Sequence, residues 1–311
     1  MVVKYLNWDL ELFAFLNLIF FITLFSGLLL IIIVALRNRP SDSQIIDFKL
    51  FITEWGRAHQ LEGTIEEWIK KNPFWSKFLK MNYRIGKGLT NLGFSPNMIT
   101  TIGLILCLFS GWFIILGGIS WILIPPLPIE LILLTDIKRS FVEPGVYFII
   151  AGIIYIFSGL VDGFDGAVAR VSNRITKFGA IYDNMIDKYS DLAVFGSIII
   201  VGLCDPVIGF LAIIGFFLVE YARAFGESRG VKKTIPTLAE RPVRLIFISI
   251  FFFVLAGHLI ALKYYIFLPY STLNFYLIDI GMIILVFFAH SSVIFIVYHL
   301  KKETSKLEEI K

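Results

Sequence analysis

Charge is scarce in this chain of 311 residues, with 17% of positions Asp, Glu, Lys or Arg. A typical soluble domain carries about 25%. Cysteine is scarcer still: Cys107 and Cys204 are the only two, both in or beside apolar runs. They suit neither a disulfide framework nor a cysteine-rich zinc site. Of four histidines, His258 and His290 fall inside apolar runs and read as packing or hydrogen-bonding residues, while His59 and His299 form no pattern. No internal repeat or low-complexity tract is apparent. What abounds is hydrophobicity: 57% of residues are apolar and the mean hydropathy is +0.81. A disordered chain is excluded and a soluble globular enzyme is disfavoured. Apolar runs of about 20 residues recur from end to end, which is the pattern of a polytopic membrane protein.

Seven stretches are long enough to span a bilayer, roughly 12–36, 98–120, 146–165, 179–203, 207–224, 243–262 and 275–299. The first is too long for a signal-peptide core, and the Arg37-Asn38-Arg39-Pro40 that follows is no small-residue cleavage site, so it is read as a helix. Lys and Arg give the orientation. With the N-terminus outside, segments 37–97, 166–178, 225–242 with its helix ends, and the tail after 300 lie inside and hold 23 of the 28 basic residues. Outside fall Lys4, Lys138, Arg139 and Lys263, while Lys188 lies within a span. The expectation is an integral membrane protein with its C-terminus in the cytoplasm.

The chain divides into an N-terminal transmembrane helix with a cytoplasmic amphipathic linker (1–90), a six-helix transmembrane core (91–302) and a cytoplasmic tail (303–311). In the linker, Asn72-Pro73 is a helix start. Phe74, Phe78 and Met81 then recur at helical spacing around Lys77 and Lys80, with Trp68, Ile69 and Trp75 adding interfacial bulk. This predicts an amphipathic helix on the membrane surface. Gly93 can stop that helix, and Ser95 or Asn97 can cap the next. The outside loop 121–145, with Pro125, Pro126 and Pro128, carries no obvious chemistry.

The informative stretch is 162–187. Asp162 and Asp165 are three apart at the cytoplasmic end of one span, and Asp183 and Asp187 are four apart at the start of the next. Those spacings put each pair on one helix face, and a short turn lets the faces meet. Ionised groups at membrane depth cost at least about 2.5 kcal/mol each on insertion scales. A divalent cation is the simplest offset, and all-oxygen ligands favour Mg²⁺ or Mn²⁺ over zinc. Gly163, Gly166, Ala167 and Ala169 strip bulk from the helix beside the acids, and Arg170 can grip phosphate bidentately. Carboxylates, a hard cation, small residues and an arginine make a diphosphate site.

The full pattern is Asp162-x2-Asp165-Gly166-x2-Ala169-Arg170-x8-Gly179-x3-Asp183-x3-Asp187. It resembles the signature of the CDP-alcohol phosphotransferase family at every position. Ser95-Pro96-Asn97-Met98-Ile99-Thr100 is likewise similar to the Pro-Asn-x-hydrophobic-Thr entry of that family's first core helix, and the similarity spans about 91–302. The resemblance implies an all-α membrane fold and a transferase of phospholipid biosynthesis. An acceptor hydroxyl attacks a CDP-linked lipid, either CDP-diacylglycerol or CDP-archaeol, and CMP is released. By the same resemblance, Asp162, Asp165 and Asp183 hold the metal. Asp187 is the general base, or a further ligand where all four acids bind two metals. Gly166, Ala169, Arg170 and Gly179 would face the nucleotide and diphosphate. A homodimer is also implied, and no nucleic acid partner.

The third cytoplasmic region bears on the acceptor. Arg223, Arg229, Lys232, Lys233, Arg241 and Arg244 fit positive-inside bias as well as an anion pocket for a phosphorylated alcohol. These segments are similar to the inositol-phosphate branch of the family, which implies that Arg223, Arg241 and Arg244 contact the acceptor's phosphate. The chain has Tyr221-Ala222-Arg223-Ala224-Phe225 where that branch has Arg-Ala-Arg-Ala-Glu, and Asp187-Lys188 where it has Asp-Arg. Glycerol 3-phosphate and serine therefore stand as alternative acceptors. A cation-binding transporter is the alternative of another class, but its site would lie near the midplane between repeats. An aromatic prenyltransferase would separate its acidic motifs, which here form one compact unit.

Overall fold

The computed structural model describes residues 10–38, 45–58, 73–122, 142–231, 235–264 and 273–309. Trp68, Ile69 and Asn72 of the interfacial stretch, the loop prolines, and Lys4, His59, Lys138, Arg139, Lys232 and Lys233 lie outside them. Among the described residues every regular element is a helix: α1 Leu10–Arg37, α2 Phe48–Ala58, α3 Pro73–Asn91, α4 Pro96–Ile122, α5 Val142–Val171, α6 Lys177–Ile200, α7 Pro206–Ser228, α8 Arg241–Tyr264 and α9 Leu273–Glu309.

Six of these, α1, α4, α5, α7, α8 and α9, are long and apolar enough to cross a membrane. The seventh expected span, 179–203, is present as α6. It falls short on composition because Asp183, Asp187, Lys188 and Asp191 all lie within it. Its 24 residues still reach about 36 Å. Large apolar side chains such as Phe25, Leu30, Phe210, Phe287 and Ile294 stand exposed along these helices. In water that surface would aggregate, and in a bilayer it is the surface that lipid wets. The protein is an integral membrane protein.

Two compact units emerge. The described residues of one fall within Lys4–Leu106 and Phe157–Asp187, those of the other within Cys107–Ile156 and Lys188–Lys311. In the second, aromatic rings are set into a largely aliphatic core. Tyr155, Phe195, Phe216 and Phe252 are fully buried, and Phe148 stacks parallel on Phe252 at 6.1 Å. Ser110 Oγ donates to the Ala151 carbonyl at 2.9 Å, joining α4 to α5. His290 Nε2 lies 3.2 Å from the Leu211 carbonyl and joins α9 to α7, a packing role as expected. Asp205 caps α7 by accepting from Val207 N–H at 2.8 Å, with Pro206 at the first helical position. Cys107 and Cys204 are free and buried, and burial pushes the Cys204 thiol up to about 12, so it stays protonated at neutral pH.

The first unit knits α2, α3 and the end of α5. The predicted amphipathic helix is α3, and Phe74, Trp75 and Met81 are exposed on it. A second face, Leu79, Asn82, Gly86 and Thr90, is buried, which the apolar spacing alone does not reveal. A Cβ on Gly86 would lie 3.0 Å from the Ala167 backbone, so α3 and α5 approach to the limit a glycine allows. Gly93, at φ 92°, ends α3 with the Phe94 N–H returning 3.0 Å to the Leu89 carbonyl. Ser95 Oγ then accepts from Met98 N–H at 3.4 Å, and Pro96 opens α4.

Candidate active site

The turn between α5 and α6 is what brings the acids together. Asn173 adopts φ 51°, and the Arg174 N–H bonds 2.8 Å back to the Ala169 carbonyl, a left-handed stop that closes α5. Thr176 Oγ1 accepts from Gly179 N–H at 2.9 Å and starts α6. The chain thus reverses within a few residues. Asp162, Asp165 and Asp183 each offer a carboxylate oxygen, and the three oxygens lie within 4.8 Å of one another. Asp187, one turn further along α6, is half-buried and outside that trio.

Helix α4 sets both arms. Thr100 Oγ1 donates to Asp165 Oδ2 at 2.7 Å, fixing the α5 carboxylate. Thr101 Oγ1 and Tyr182 Oη lie 2.8 Å apart, fixing α6 beside Asp183. Sequence reasoning did not assign site roles to Thr100, Thr101 or Tyr182. The Pro-Asn-x-hydrophobic-Thr entry, which contains Thr100, was the available signal.

Beside the acids opens a cavity of about 480 Å³. Asp165, Gly166, Ala169, Arg170, Gly179 and Asp183 line it, together with Asn97 and Thr100 from α4 and Arg174 and Thr176 from the turn. Every residue expected to face the nucleotide and diphosphate therefore borders one space. A Cβ on Gly166 would come 3.1 Å from an Arg170 Nη, so the glycine leaves room for the guanidinium to fold back over its own helix. A Cβ on Gly179 would sit 3.0 Å from Thr176 Oγ1 and 3.6 Å from Asn97 Oδ1, so that position too is tight. The Arg170 guanidinium stands 5.7 Å from the Phe51 ring centroid, a cation–π distance. Glu54, from α2, also lines the cavity. Neither Phe51 nor Glu54 was anticipated.

The donor set suits a hard divalent cation. Three carboxylates converge, and no His or Cys belongs to the group. Converged oxygens of like charge repel, and a dication reverses that repulsion.

Arg223, Arg229, Arg241 and Arg244 belong to the other unit. Arg223 bonds to Glu240 at 3.3 Å, Thr237 Oγ1 at 3.1 Å and the Ile235 carbonyl at 3.2 Å, and lies 3.5 Å from Glu220. Lys188 lies 3.9 Å from the same Glu220. Arg244 is only 1% exposed. Its guanidinium pairs with buried Asp191 at 2.8 Å, donates to the Ala239 carbonyl and sits 4.5 Å over the Phe216 ring. Arg244 was expected to contact an acceptor phosphate; here it is committed inside the protein. Arg241 is half-buried at the start of α8.

Comparison with known proteins follows the same lines. The sequence profile of the CDP-alcohol phosphatidyltransferase family matches residues 94–289. The archaetidylinositol phosphate synthase of Pyrococcus horikoshii is 32% identical over 167 residues, covering 54% of this chain and 73% of the relative. Among solved structures, the phosphatidylinositol phosphate synthase of Mycobacterium tuberculosis with CDP-DAG bound aligns with a TM-score of 0.51 at 19% identity. That alignment covers 71% of this chain and 94% of the other. The same protein in complex with manganese and citrate aligns with a TM-score of 0.50 at 19% identity, covering 70% and 88%. At this identity the structural likeness speaks for the fold.

Proposed function

The chain belongs to the CDP-alcohol phosphatidyltransferase family, and from that premise we propose that it moves the phosphatidyl-type group of a CDP-linked lipid onto inositol phosphate. The observation that carries this reading is the carboxylate trio, two of whose members, Asp165 and Asp183, border a cavity lined by Arg170, Gly166 and Gly179. The acceptor assignment leans on the 32% identity to an archaetidylinositol phosphate synthase. The family match leaves no observation in favour of a transporter.

Asp162, Asp165 and Asp183 would hold a divalent cation, Mg²⁺ or Mn²⁺. When bound, that cation neutralises the diphosphate and stabilises charge on departing CMP. Arg170 binds the diphosphate oxygens, and the small residues Gly166 and Ala169 let the donor approach α5. Asp187, set apart from the trio, takes the proton of the attacking acceptor hydroxyl. A new phosphorus–oxygen bond forms to the acceptor as the bond to CMP breaks. Arg223 and Arg241 serve the acceptor's phosphate, whereas Arg244, paired with Asp191, holds the protein around them in place.

Residues 91–302 form the transferase domain, 1–90 an added helix and linker, and 303–311 a tail. The basic residues support an active site facing the cytoplasm, with the N-terminus outside. Two copies would assemble as a homodimer, as the resemblance implies. The test is direct. Purified protein is given CDP-diacylglycerol or CDP-archaeol with Mg²⁺, and inositol phosphate, glycerol 3-phosphate and serine are offered separately. CMP release is expected with inositol phosphate above the others. Release with another acceptor alone would reassign the substrate, and none with any pair would sink the reading.

A further inference from the structure

We propose that α2, which lies outside the residues 94–289 that carry the family match, is a wall of the donor site: Phe51 positions Arg170, and Glu54 accepts hydrogen bonds from the nucleoside end of the CDP-lipid. The inference rests on the reading above that the cavity takes the donor.

The local sequence explains why α2 is there. Asp47 Oδ1 accepts from Leu50 N–H at 2.8 Å and starts the helix. Phe51, Ile52 and Trp55 then bury one face against Leu79, Ala167 and Val171. The Ile46 N–H donates 3.0 Å to the Val171 carbonyl, one of the acceptors left open at the end of α5. Tyr83 Oη donates to the Ile46 carbonyl at 3.0 Å, and its ring packs 5.4 Å from Phe48 and 5.5 Å from Phe51. The segment is therefore bonded to α3 and α5 by backbone, hydroxyl and ring contacts.

This docking has two consequences for the cavity. The Phe51 ring faces the Arg170 guanidinium, which restricts where that long side chain points. Glu54, one turn along the same face, borders the cavity with Arg170 and Arg174. An ionised carboxylate only accepts hydrogen bonds. A diphosphate at neutral pH also only accepts, so Glu54 cannot bind that part of the donor. The hydrogen-bond donors on CDP are the ribose hydroxyls and the cytosine amine. A carboxylate retained in a diphosphate cavity therefore matches the nucleoside, and it disfavours ligands that are phosphate alone.

The experiment uses full-length protein with Mg²⁺. Binding of CMP and of inorganic pyrophosphate is measured for wild type, Glu54→Gln, Phe51→Leu and Phe51→Tyr, alongside KM and kcat with the CDP-lipid. Glu54→Gln should weaken CMP about threefold to tenfold, raise the donor KM to match, and leave pyrophosphate bound as tightly or more tightly. Phe51→Leu should weaken both ligands about threefold or more, and Phe51→Tyr should restore them, because the contact needs an aromatic face. Three results would overturn the proposal: CMP binding unchanged in Glu54→Gln, CMP and pyrophosphate both tightened by it, or Phe51→Leu and Phe51→Tyr alike. If Phe51→Leu does not fold, Glu54→Gln decides alone. A wild type that neither binds CMP nor turns over a CDP-lipid would instead overturn the donor-site reading itself.

Discussion

Asp183 and Asp191 lie eight residues apart on the same helix, yet their surroundings are opposite. Asp191 is buried and paired with an equally buried cation, Arg244, at 2.8 Å. Asp183 instead converges with two more carboxylates at the edge of a cavity. The first arrangement is closed: its charge is answered within the fold. The second gathers charge of one sign where a ligand can reach it. An acid paired by the protein contributes to architecture, while acids massed by the protein are poised for a cation that comes from outside.

Substitutions can separate the two. Asp183→Asn or Asp162→Asn should cost about a thousandfold in CMP release, with the thermal unfolding midpoint in detergent kept or raised because repulsion is relieved. A midpoint falling as far as activity would show that these acids are structural. Asp191→Ala should do the reverse, destabilising by about 3 kcal/mol in denaturant unfolding, because it strands a buried Arg244. Replacing the pair together by apolar residues should recover most of that loss. A double variant no better than the single would mean that the pair does more than answer its own charge. The smallest effect is expected at the support of the site. Thr100→Val removes the hydroxyl that holds Asp165 and should slow turnover by about tenfold. Thr100→Ser should keep it, and equal rates for Val and Ser would dismiss the hydrogen bond.

Much of this comparison was legible in the sequence. Asp162, Asp165, Asp183 and Asp187 stand at helical spacings in short order, so local periodicity and a tight turn suffice to bring the first three together. Six spans follow from apolar length alone. Asp191 and Arg244 were not legible as a pair. They are 53 residues apart, and an arginine near a helix start reads equally as topology signal, phosphate ligand or buried partner. The same limit hid where α2 packs, although Phe48, Phe51, Ile52 and Trp55 recur at helical spacing. Glu54 reaches the cavity and Phe51 reaches Arg170 because α2 packs on Tyr83, Leu79 and Val171, and no period in residues 45–58 encodes those partners. On α3 the exposed Phe74 and Met81 gave the visible pattern. The buried face uses Asn82, Gly86 and Thr90, small or polar residues that carry no hydrophobic signal.

The central claim is that Asp162, Asp165 and Asp183 jointly bind a divalent cation. Mn²⁺ titration followed by electron paramagnetic resonance tests it without turnover. Saturable binding to the wild type, lost in Asp183→Asn and kept in Asp191→Asn, is the predicted result. Equal Mn²⁺ binding by wild type and Asp183→Asn would contradict it.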